Sequence, residues 1–152
     1  MTEKLQDPPR LVASTLRWQK TGVAVFLLLV LAFPVYRLTE NGRLSDALSS
    51  ERSAQIAAGH QLWSLNCAMC HGTQGEGSDA PALNSQEFLK SVSDEQMHGI
   101  VSGGIPGSAM PAWLDEYGGP LTDQQIAAVV AYVRSWEKTA PSVPNWRNPS
   151  GG

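Results

Sequence analysis

Apolar positions are concentrated in one early block of the chain. Residues 22–36 read GVAVFLLLVLAFPVY and carry no charge. A helix that spans a bilayer needs about 20 predominantly apolar residues, and the block reaches that length when it is counted from Trp18 to Leu38. Trp18 and Tyr36 are of the residue types that lie at membrane interfaces. The pattern predicts a single transmembrane helix over residues 21–38.

A basic segment followed by a short apolar stretch is also typical of a cleaved signal peptide. Here the polar segment, residues 1–20, is long for such a leader, and no A-x-A-like site follows the block, because Ala32 precedes FPVY. The pattern therefore favours an uncleaved anchor. The positive-inside rule favours a cytoplasmic N-terminus, although Arg37, Arg43 and Arg52 on the other side weaken the bias.

After the apolar block the pattern becomes polar and then amphipathic. Residues 39–50 are rich in small polar residues, which is typical of a linker or of a frayed extension of the anchor helix. From residue 51 onward, residues at mostly helical offsets predict a helix that runs into residue 71. These residues are Ile56, Gly59, Leu62, Trp63 and Leu65.

Two further helices are predicted downstream. Ser93 is a helix N-cap before a short helical pattern that extends to Val101. Thr122 or Asp123 caps the last helix. Its apolar stripe comprises Ile126, Val129, Val130, Val133 and Trp136. The intervening stretches, dense in Gly, Ser, Asp and Pro, are predicted to be loops, which makes the head over residues 51–140 all-helical.

The tail over residues 141–152 contains prolines and no helical period, so we expect it to be extended and to bury no core. Trp146 and Arg147 are residue types that anchor interfaces. A disordered tail is the alternative, because chain termini are often poorly ordered.

Size and charge bound the possible functions. At 152 residues the chain has room for one domain and an appendage. Residues 51–140 carry ten acidic and four basic side chains. Such a surface can steer a basic partner electrostatically, or it can simply be a solvated face.

The two cysteines of the chain lie in one motif, Cys67-Ala68-Met69-Cys70-His71. This is C-x-x-C-H, the pattern of covalent haem attachment. Two thiols at this spacing can each form a thioether to one edge of a porphyrin, and the adjoining histidine then reaches the iron. The motif predicts one haem c bound through Cys67 and Cys70, with His71 as the proximal iron ligand.

Three other interpretations of the cysteines are weaker. A zinc site normally takes four nitrogen or sulfur ligands, and the chain has no second C-x-x-C, so His60, His71 or His98 would have to complete it. A thioredoxin-like redox pair needs a βαβ context, and no strand pattern flanks the motif. A structural disulfide leaves the adjoining histidine unexplained.

Three stretches together resemble the class I, single-haem cytochromes c. They are Gly59-x-x-x-Trp63-x-x-x-Cys67-x-x-Cys70-His71, the later Met110-Pro111, and the closing LTDQQIAAVVAYVRSW. The resemblance covers residues 51–140 and implies a cytochrome c fold, with three to five helices around one covalent haem. It also implies that Gly59 lets the first helix approach the last one closely, with Tyr132 packed beside Val129 at the crossing.

The resemblance further implies the surroundings of the haem. Pro81 resembles the family proline whose carbonyl accepts a hydrogen bond from the proximal histidine, here His71, and thereby orients its ring. Met110 occupies the family position of the distal methionine, in a loop where a thioether can be presented to iron. Met97 and His98 are reserve ligands, and a methionine that only fills a gap in the core is the ordinary alternative.

Ligation by histidine and methionine fills both axial positions of the iron and raises its potential. We therefore expect one-electron transfer rather than enzymatic conversion of a substrate. The segments at both ends favour a subunit of a respiratory or photosynthetic complex in the cytoplasmic membrane, with the haem domain periplasmic or extracellular. Redox proteins are the expected partners, and nucleic acid is not.

Two other functions stay open. The first is a free-standing anchored or secreted cytochrome that shuttles electrons between complexes. The second is a haem sensor or haem enzyme, in which a ligand such as carbon monoxide displaces Met110. The chain offers no second domain that could receive a signal, which makes the sensor the weaker of the two.

Overall fold

The computed structural model describes residues 9–148, apart from the side chains of residues 9–16 and of Asn41. Within this range the helices are α1 (Pro9–Asn66), α2 (Ala68–His71), α3 (Gln86–Ser91), α4 (Asp94–Gly103) and α5 (Asp123–Ser135). Two 3₁₀ turns, Asp115–Tyr117 and Trp136–Lys138, follow α4 and α5. Residues 9–148 contain no β-strand, and Leu114 and Leu121 form an isolated bridge. The predicted all-helical fold is confirmed.

The chain divides into two compact units, with the boundary between Leu48 and Ser49. In the first unit α1 is described from Pro9 onward. The large apolar side chains of α1 from Val23 to Leu38 are at least half exposed. This stretch is long and apolar enough to cross a membrane, and none of its apolar window is buried by the rest of the chain.

Residues 39–50 continue α1 without a break. The sequence was compatible with either a linker or an extension of the anchor helix over these residues. Their secondary structure is that of the extension. The segment contains no proline, and its single glycine, Gly42, costs a helix only about 1 kcal/mol relative to alanine. The hydroxyl of Thr39 donates to the Val35 carbonyl at 3.1 Å, and that of Ser45 donates to the Gly42 carbonyl at 2.8 Å. The division of residues 1–50 into separate segments stays a prediction.

In the second unit the last turns of α1 cross α5 at Gly59. A Cβ atom at this position would lie 2.0 Å from the carbonyl oxygen of Ala128 and 2.9 Å from the Cβ of Tyr132. Real Cβ atoms do not approach backbone so closely, so the crossing requires glycine. The predicted close approach of the first and last helices is confirmed.

The core of the second unit forms where the end of α1 meets α3, α4 and α5. Its buried side chains are Trp63, Phe88, Leu89, Met97, Val129, Val130, Val133 and Ala140. A smaller cluster consists of Leu114, Leu121 and Ile126. Each fully buried Val, Leu, Ile, Phe or Met side chain contributes about 1.5 to 3 kcal/mol relative to exposure.

Helix termini follow the predicted chemistry. Ser93 and Thr122 each form a capping box, in which the hydroxyl accepts from the amide of the third helical residue and that residue's glutamine side chain accepts from the cap amide. Thr122, rather than Asp123, is therefore the cap of α5. The sequence patterns did not predict α3, a six-residue helix whose cap, Ser85, accepts from the Phe88 amide at 3.2 Å.

The segment after α5 packs against α3 instead of lying free. The Trp146 ring meets the Phe88 ring edge-on at a centroid distance of 5.2 Å. The Ala82 amide donates to the Trp146 carbonyl at 2.7 Å, and the Gln86 amide donates to the Pro141 carbonyl at 3.0 Å. The expectation that the tail buries no core is therefore wrong for Trp146, which packs against the chain's own core. The expectation was based on the absence of a helical pattern in the tail, but the ring contact and the backbone hydrogen bonds form without a helix.

Candidate haem site

The cysteine motif forms a short turn directly after α1. The Cys67 amide donates to the Trp63 carbonyl at 2.8 Å, and the His71 amide donates to the Cys67 carbonyl at 3.0 Å. Both thiols are free, with Cys67 half-buried and Cys70 exposed. A disulfide between them is therefore absent. Burial, with a smaller contribution from the neighbouring Cys70 thiol, raises the pKa of the Cys67 thiol to about 11.

The His71 imidazole is anchored through one of its two ring nitrogens. Its Nδ1 lies 2.9 Å from the Pro81 carbonyl oxygen, the contact expected from the sequence. A carbonyl oxygen only accepts, so Nδ1 carries the proton and donates. Burial lowers the pKa of His71, while the bond to Pro81 raises it in part. The ring is thus kept neutral, and the lone pair of Nε2 is left for a metal.

The loop after the motif is bonded back to it. The Gly77 amide donates to the His71 carbonyl at 2.8 Å, and the Ala80 amide donates to the Cys70 carbonyl at 3.0 Å. The Glu76 carboxylate accepts from the Gln74 amide at 2.7 Å. Hydrogen bonds from backbone amides and from the Thr73 hydroxyl hold the pKa of Glu76 below its usual value. These bonds bring Pro81 to the motif from ten residues away.

Met110 lies in an irregular loop, as predicted. The Ile105 amide donates to the Met110 carbonyl at 3.0 Å, and the Met110 amide donates to the Ser108 hydroxyl at 3.1 Å. The Met110 side chain is half-buried. Met97, the reserve candidate, is only 5% exposed and packs in the core. Met97 is therefore used in packing, whereas the hydrogen bonds of Met110 are formed by its main chain.

A cleft borders the methionine loop. It has a volume of about 390 Å³ and is lined by Ser91, Val92, Gln96, Gly99, Ile100 and Gly104. Gly104 abuts the loop, because a Cβ on it would lie 2.5 Å from the Pro111 carbonyl carbon. Ile100 in the lining is 38% exposed, and Ile105, whose amide donates to the Met110 carbonyl, is 46% exposed. Apolar surface is thus available beside Met110.

The remaining histidines have other contacts. The ring of His60 lies 5.0 Å from that of Tyr132. His98 Nε2 lies 3.2 Å from Asp123 Oδ1, which joins α4 to the start of α5. In residues 9–148 no three His, Cys, Asp or Glu side chains are grouped so that they could hold a metal ion. A zinc site of the kind considered from the sequence has no support in this range.

The donor set fits a covalently attached haem. Two free thiols and a neutral imidazole lie on one turn. The imidazole is oriented by the hydrogen bond from its Nδ1 to the Pro81 carbonyl. That orientation is the arrangement in which a histidine ligand is held for a metal. Two features were not predicted from the sequence: the contacts of the Trp63 indole and the cleft beside Ile100.

Comparison with known proteins gives one family and several relatives. The family model described as cytochrome C oxidase, cbb3-type, subunit III matches residues 54–133. The cbb3-type cytochrome c oxidase subunit FixP of Sinorhizobium medicae is 28% identical over 95 residues, which are 59% of this chain and 32% of FixP. Cytochrome c6 of Tetradesmus obliquus is 33% identical over 90 residues, which are 53% of this chain and 90% of cytochrome c6.

The chain is also similar to solved structures, among them that of cytochrome cL from Methylophaga aminisulfidivorans. It is 30% identical in sequence, covers 55% of each chain and superposes with a TM-score of 0.47. This chain spans about a third of the length of the FixP and CcoP relatives it matches.

Proposed function

Because the chain belongs to the family described as cytochrome C oxidase, cbb3-type, subunit III, we propose that it is a membrane-anchored one-electron carrier. The class I cytochrome c family predicted from the sequence is thereby confirmed, and haem c is the cofactor. Cys67 and Cys70 would hold the haem through thioethers, and His71 and Met110 would supply the two protein ligands of its iron. When bound, the haem supplies an iron that is reduced and oxidised by one electron.

One observation carries this proposal: the hydrogen bond between His71 Nδ1 and the Pro81 carbonyl oxygen at 2.9 Å. The bond fixes the tautomer, so that Nε2 offers its lone pair, and it restrains rotation of the ring. A histidine next to two cysteines for an unrelated reason would not need this partner. Met110 supplies a soft thioether from a loop that no helix restrains.

The place of the carrier is part of the proposal. The apolar stretch of α1 anchors the chain in the cytoplasmic membrane, with residues 1–20 in the cytoplasm and the haem domain in the periplasm or outside the cell. The exposed apolar side chains from Val23 to Leu38 support the anchor, because water does not stabilise such a surface. Attachment of haem c outside the cytoplasm, as the family resemblance implies, supports the orientation.

The chain works as a subunit of an electron-transfer complex of the respiratory type. The match to relatives named as subunits of cbb3-type oxidases supports this assignment. A free-standing carrier is the second candidate, since nearly all of cytochrome c6 is covered by this chain and its name mentions no complex. In either case the electron partners are redox proteins.

Gentle detergent extraction of native membranes distinguishes a subunit of a complex from a free-standing carrier. The extract is separated by size without denaturation, and the chain is located by haem staining and mass spectrometry. We expect it in a large assembly together with other redox subunits. Migration as a single 16 to 17 kDa cytochrome would contradict the subunit assignment and support the free-standing carrier.

A further inference from the structure

Trp63 contacts both ends of the haem-attachment segment. Its backbone carbonyl accepts from the Cys67 amide at 2.8 Å, at the start of the segment. Its indole Nε1–H donates to the Gly72 carbonyl at 3.1 Å, directly after His71. The residue therefore brackets the cysteines and the histidine between two hydrogen bonds, one from its main chain and one from its side chain.

The indole is held firmly enough to define a position. Trp63 is 1% exposed, and its ring packs edge-on against Trp136 at 5.2 Å and lies 6.1 Å from the Tyr132 ring, both centroid distances. Both partners belong to the C-terminal helical segment that crosses α1. The Trp63 ring centroid is also 5.9 Å from that of the His71 imidazole. Because Trp136 and Tyr132 pack against the Trp63 indole, the indole would keep its position if the haem-attachment segment shifted.

Gly72 is the point at which the chain leaves the motif. Its φ of 84° lies in the left-handed region that favours glycine. Its amide caps α2 through the Ala68 carbonyl at 2.9 Å, and its carbonyl accepts from the Gly75 amide at 3.2 Å as well as from Trp63. Of these bonds, the one from Trp63 connects the backbone at Gly72 to the helical core.

We propose that Trp63 is a positioning residue, whose indole N–H fixes the backbone after His71 and so sets the orientation of the imidazole toward the haem iron. The inference rests on the proposed function, in which His71 is the proximal ligand. The Pro81 carbonyl restrains the ring at Nδ1, and the Trp63 bond restrains the main chain from which the ring extends. Together they leave the imidazole little freedom to tilt or rotate.

The test removes the donor and keeps an aromatic ring. In the full-length holoprotein, Trp63→Phe is compared with Trp136→Phe, which takes an indole from the same aromatic cluster but leaves the Gly72 bond intact. Two readouts report on the ligand: the reduction potential, and the hyperfine-shifted proton resonances of the His71 ring in the oxidised protein. Thermal unfolding is measured for both variants as a record of packing loss.

We expect Trp63→Phe to shift the potential and the His71 resonances, while Trp136→Phe lowers the unfolding temperature without moving either. If Trp63→Phe fails to fold, benzothienylalanine at position 63 replaces the N–H by sulfur in a ring of nearly the same shape, and the same shifts are expected. Equal readouts for the two Phe variants, or wild-type values with benzothienylalanine, would overturn the inference alone. Absence of covalent haem from the wild type would overturn the proposed function and the inference with it.

Discussion

His71 has two neighbours that fix its chemistry, and they come from opposite directions in the sequence. Pro81 lies ten residues later and accepts from Nδ1, and Trp63 lies eight residues earlier with its ring near the imidazole. Burial favours the neutral imidazole by lowering the pKa of the ring. A neutral, oriented imidazole is the form that binds a metal.

Replacing Met110 with alanine tests the distal ligand. The change removes the soft sulfur donor, so we expect the potential to fall and the reduced protein to bind about one carbon monoxide per haem at neutral pH. Optical titration and carbon monoxide difference spectra measure both effects.

Met69→Ala is the matched control, because Met69 is 86% exposed within the attachment motif. It should keep the wild-type spectrum and bind no carbon monoxide. A wild-type spectrum for Met110→Ala would remove Met110 from the ligands.

Gly59→Ala tests the helix crossing. The new Cβ would overlap the Ala128 carbonyl, and overpacking of this kind costs about 2 to 3 kcal/mol. The free energy of unfolding, followed by visible circular dichroism, should drop by this amount. Gly42→Ala places the same methyl group in α1 with nothing within 4 Å. It should be neutral or stabilising by up to about 1 kcal/mol, and equal losses for both variants would contradict the crossing.

At the residue scale the sequence predicted what depends on local spacing or on a family pattern. The haem-binding roles of Cys67, Cys70 and His71 are predicted from their spacing. The contacts of Pro81 and Gly59, which were predicted from the family resemblance, are present in the structure. The indole bond from Trp63 to Gly72 could not be predicted, because the orientation of a buried ring depends on the helices that pack around it. The ligand role of Met110 stays a prediction until the substitution is measured.

At the scale of elements, helices with a cap and an apolar stripe were predictable. The capping boxes at Ser93 and Thr122 mark the starts of α4 and α5. Helix α3 was missed because six residues are too few to show a period. The packing of the tail was missed because it depends on Phe88 and Glu87, more than 50 residues earlier in the chain.

Glu87→Gln tests how the tail is held. The Glu87 carboxylate accepts from the Ser142 hydroxyl at 2.5 Å, the Val143 amide at 2.7 Å and the Ser85 hydroxyl at 3.1 Å. The Ser142 and Val143 bonds contribute most to lowering its pKa from 4.5 to about 2. A carboxyl group whose pKa is lowered by folding stabilises the folded state at any pH above its ordinary pKa. This contribution is lost as the pH falls from about 4.5 to about 2.

Wild-type stability should therefore fall over this pH range by more than that of Glu87→Gln, as measured by denaturant unfolding at each pH. Glu116→Gln, a replacement of the same kind away from the tail, should follow the wild type. Identical pH profiles for the wild type and Glu87→Gln would contradict the role of Glu87.

Arg134→Met tests the contact between α5 and the α3–α4 connection. The Arg134 guanidinium donates to the Leu89 and Val92 carbonyls at 2.6 and 2.7 Å and pairs with Asp94 at 2.6 Å. Its side chain is 12% exposed, so the two carbonyls would lose their donor with little access to water. A loss of about 2 to 3 kcal/mol is expected in thermal unfolding. Lys138→Met, at an exposed cation, should change stability by less than about 0.5 kcal/mol.

The whole molecule combines an apolar helix with a compact helical unit that belongs to a family of haem-binding oxidase subunits. Both parts were predictable, since an uninterrupted apolar run and a C-x-x-C-H motif are strong signals at this scale. The assembly was not, because similar cytochrome domains occur in many complexes and the fold alone does not identify one. Identifying the subunits that co-migrate with the chain would show directly which assembly it belongs to.

We propose that this chain carries one covalently attached haem with two protein ligands and transfers one electron at a time. An optical redox titration of the purified full-length protein, with haem content measured after denaturation, tests it most directly. We expect one haem per chain that stays bound through denaturing electrophoresis, a single one-electron Nernst curve, and no carbon monoxide binding by the native reduced form. Haem that is released on denaturation, or rapid carbon monoxide binding at neutral pH, would contradict it.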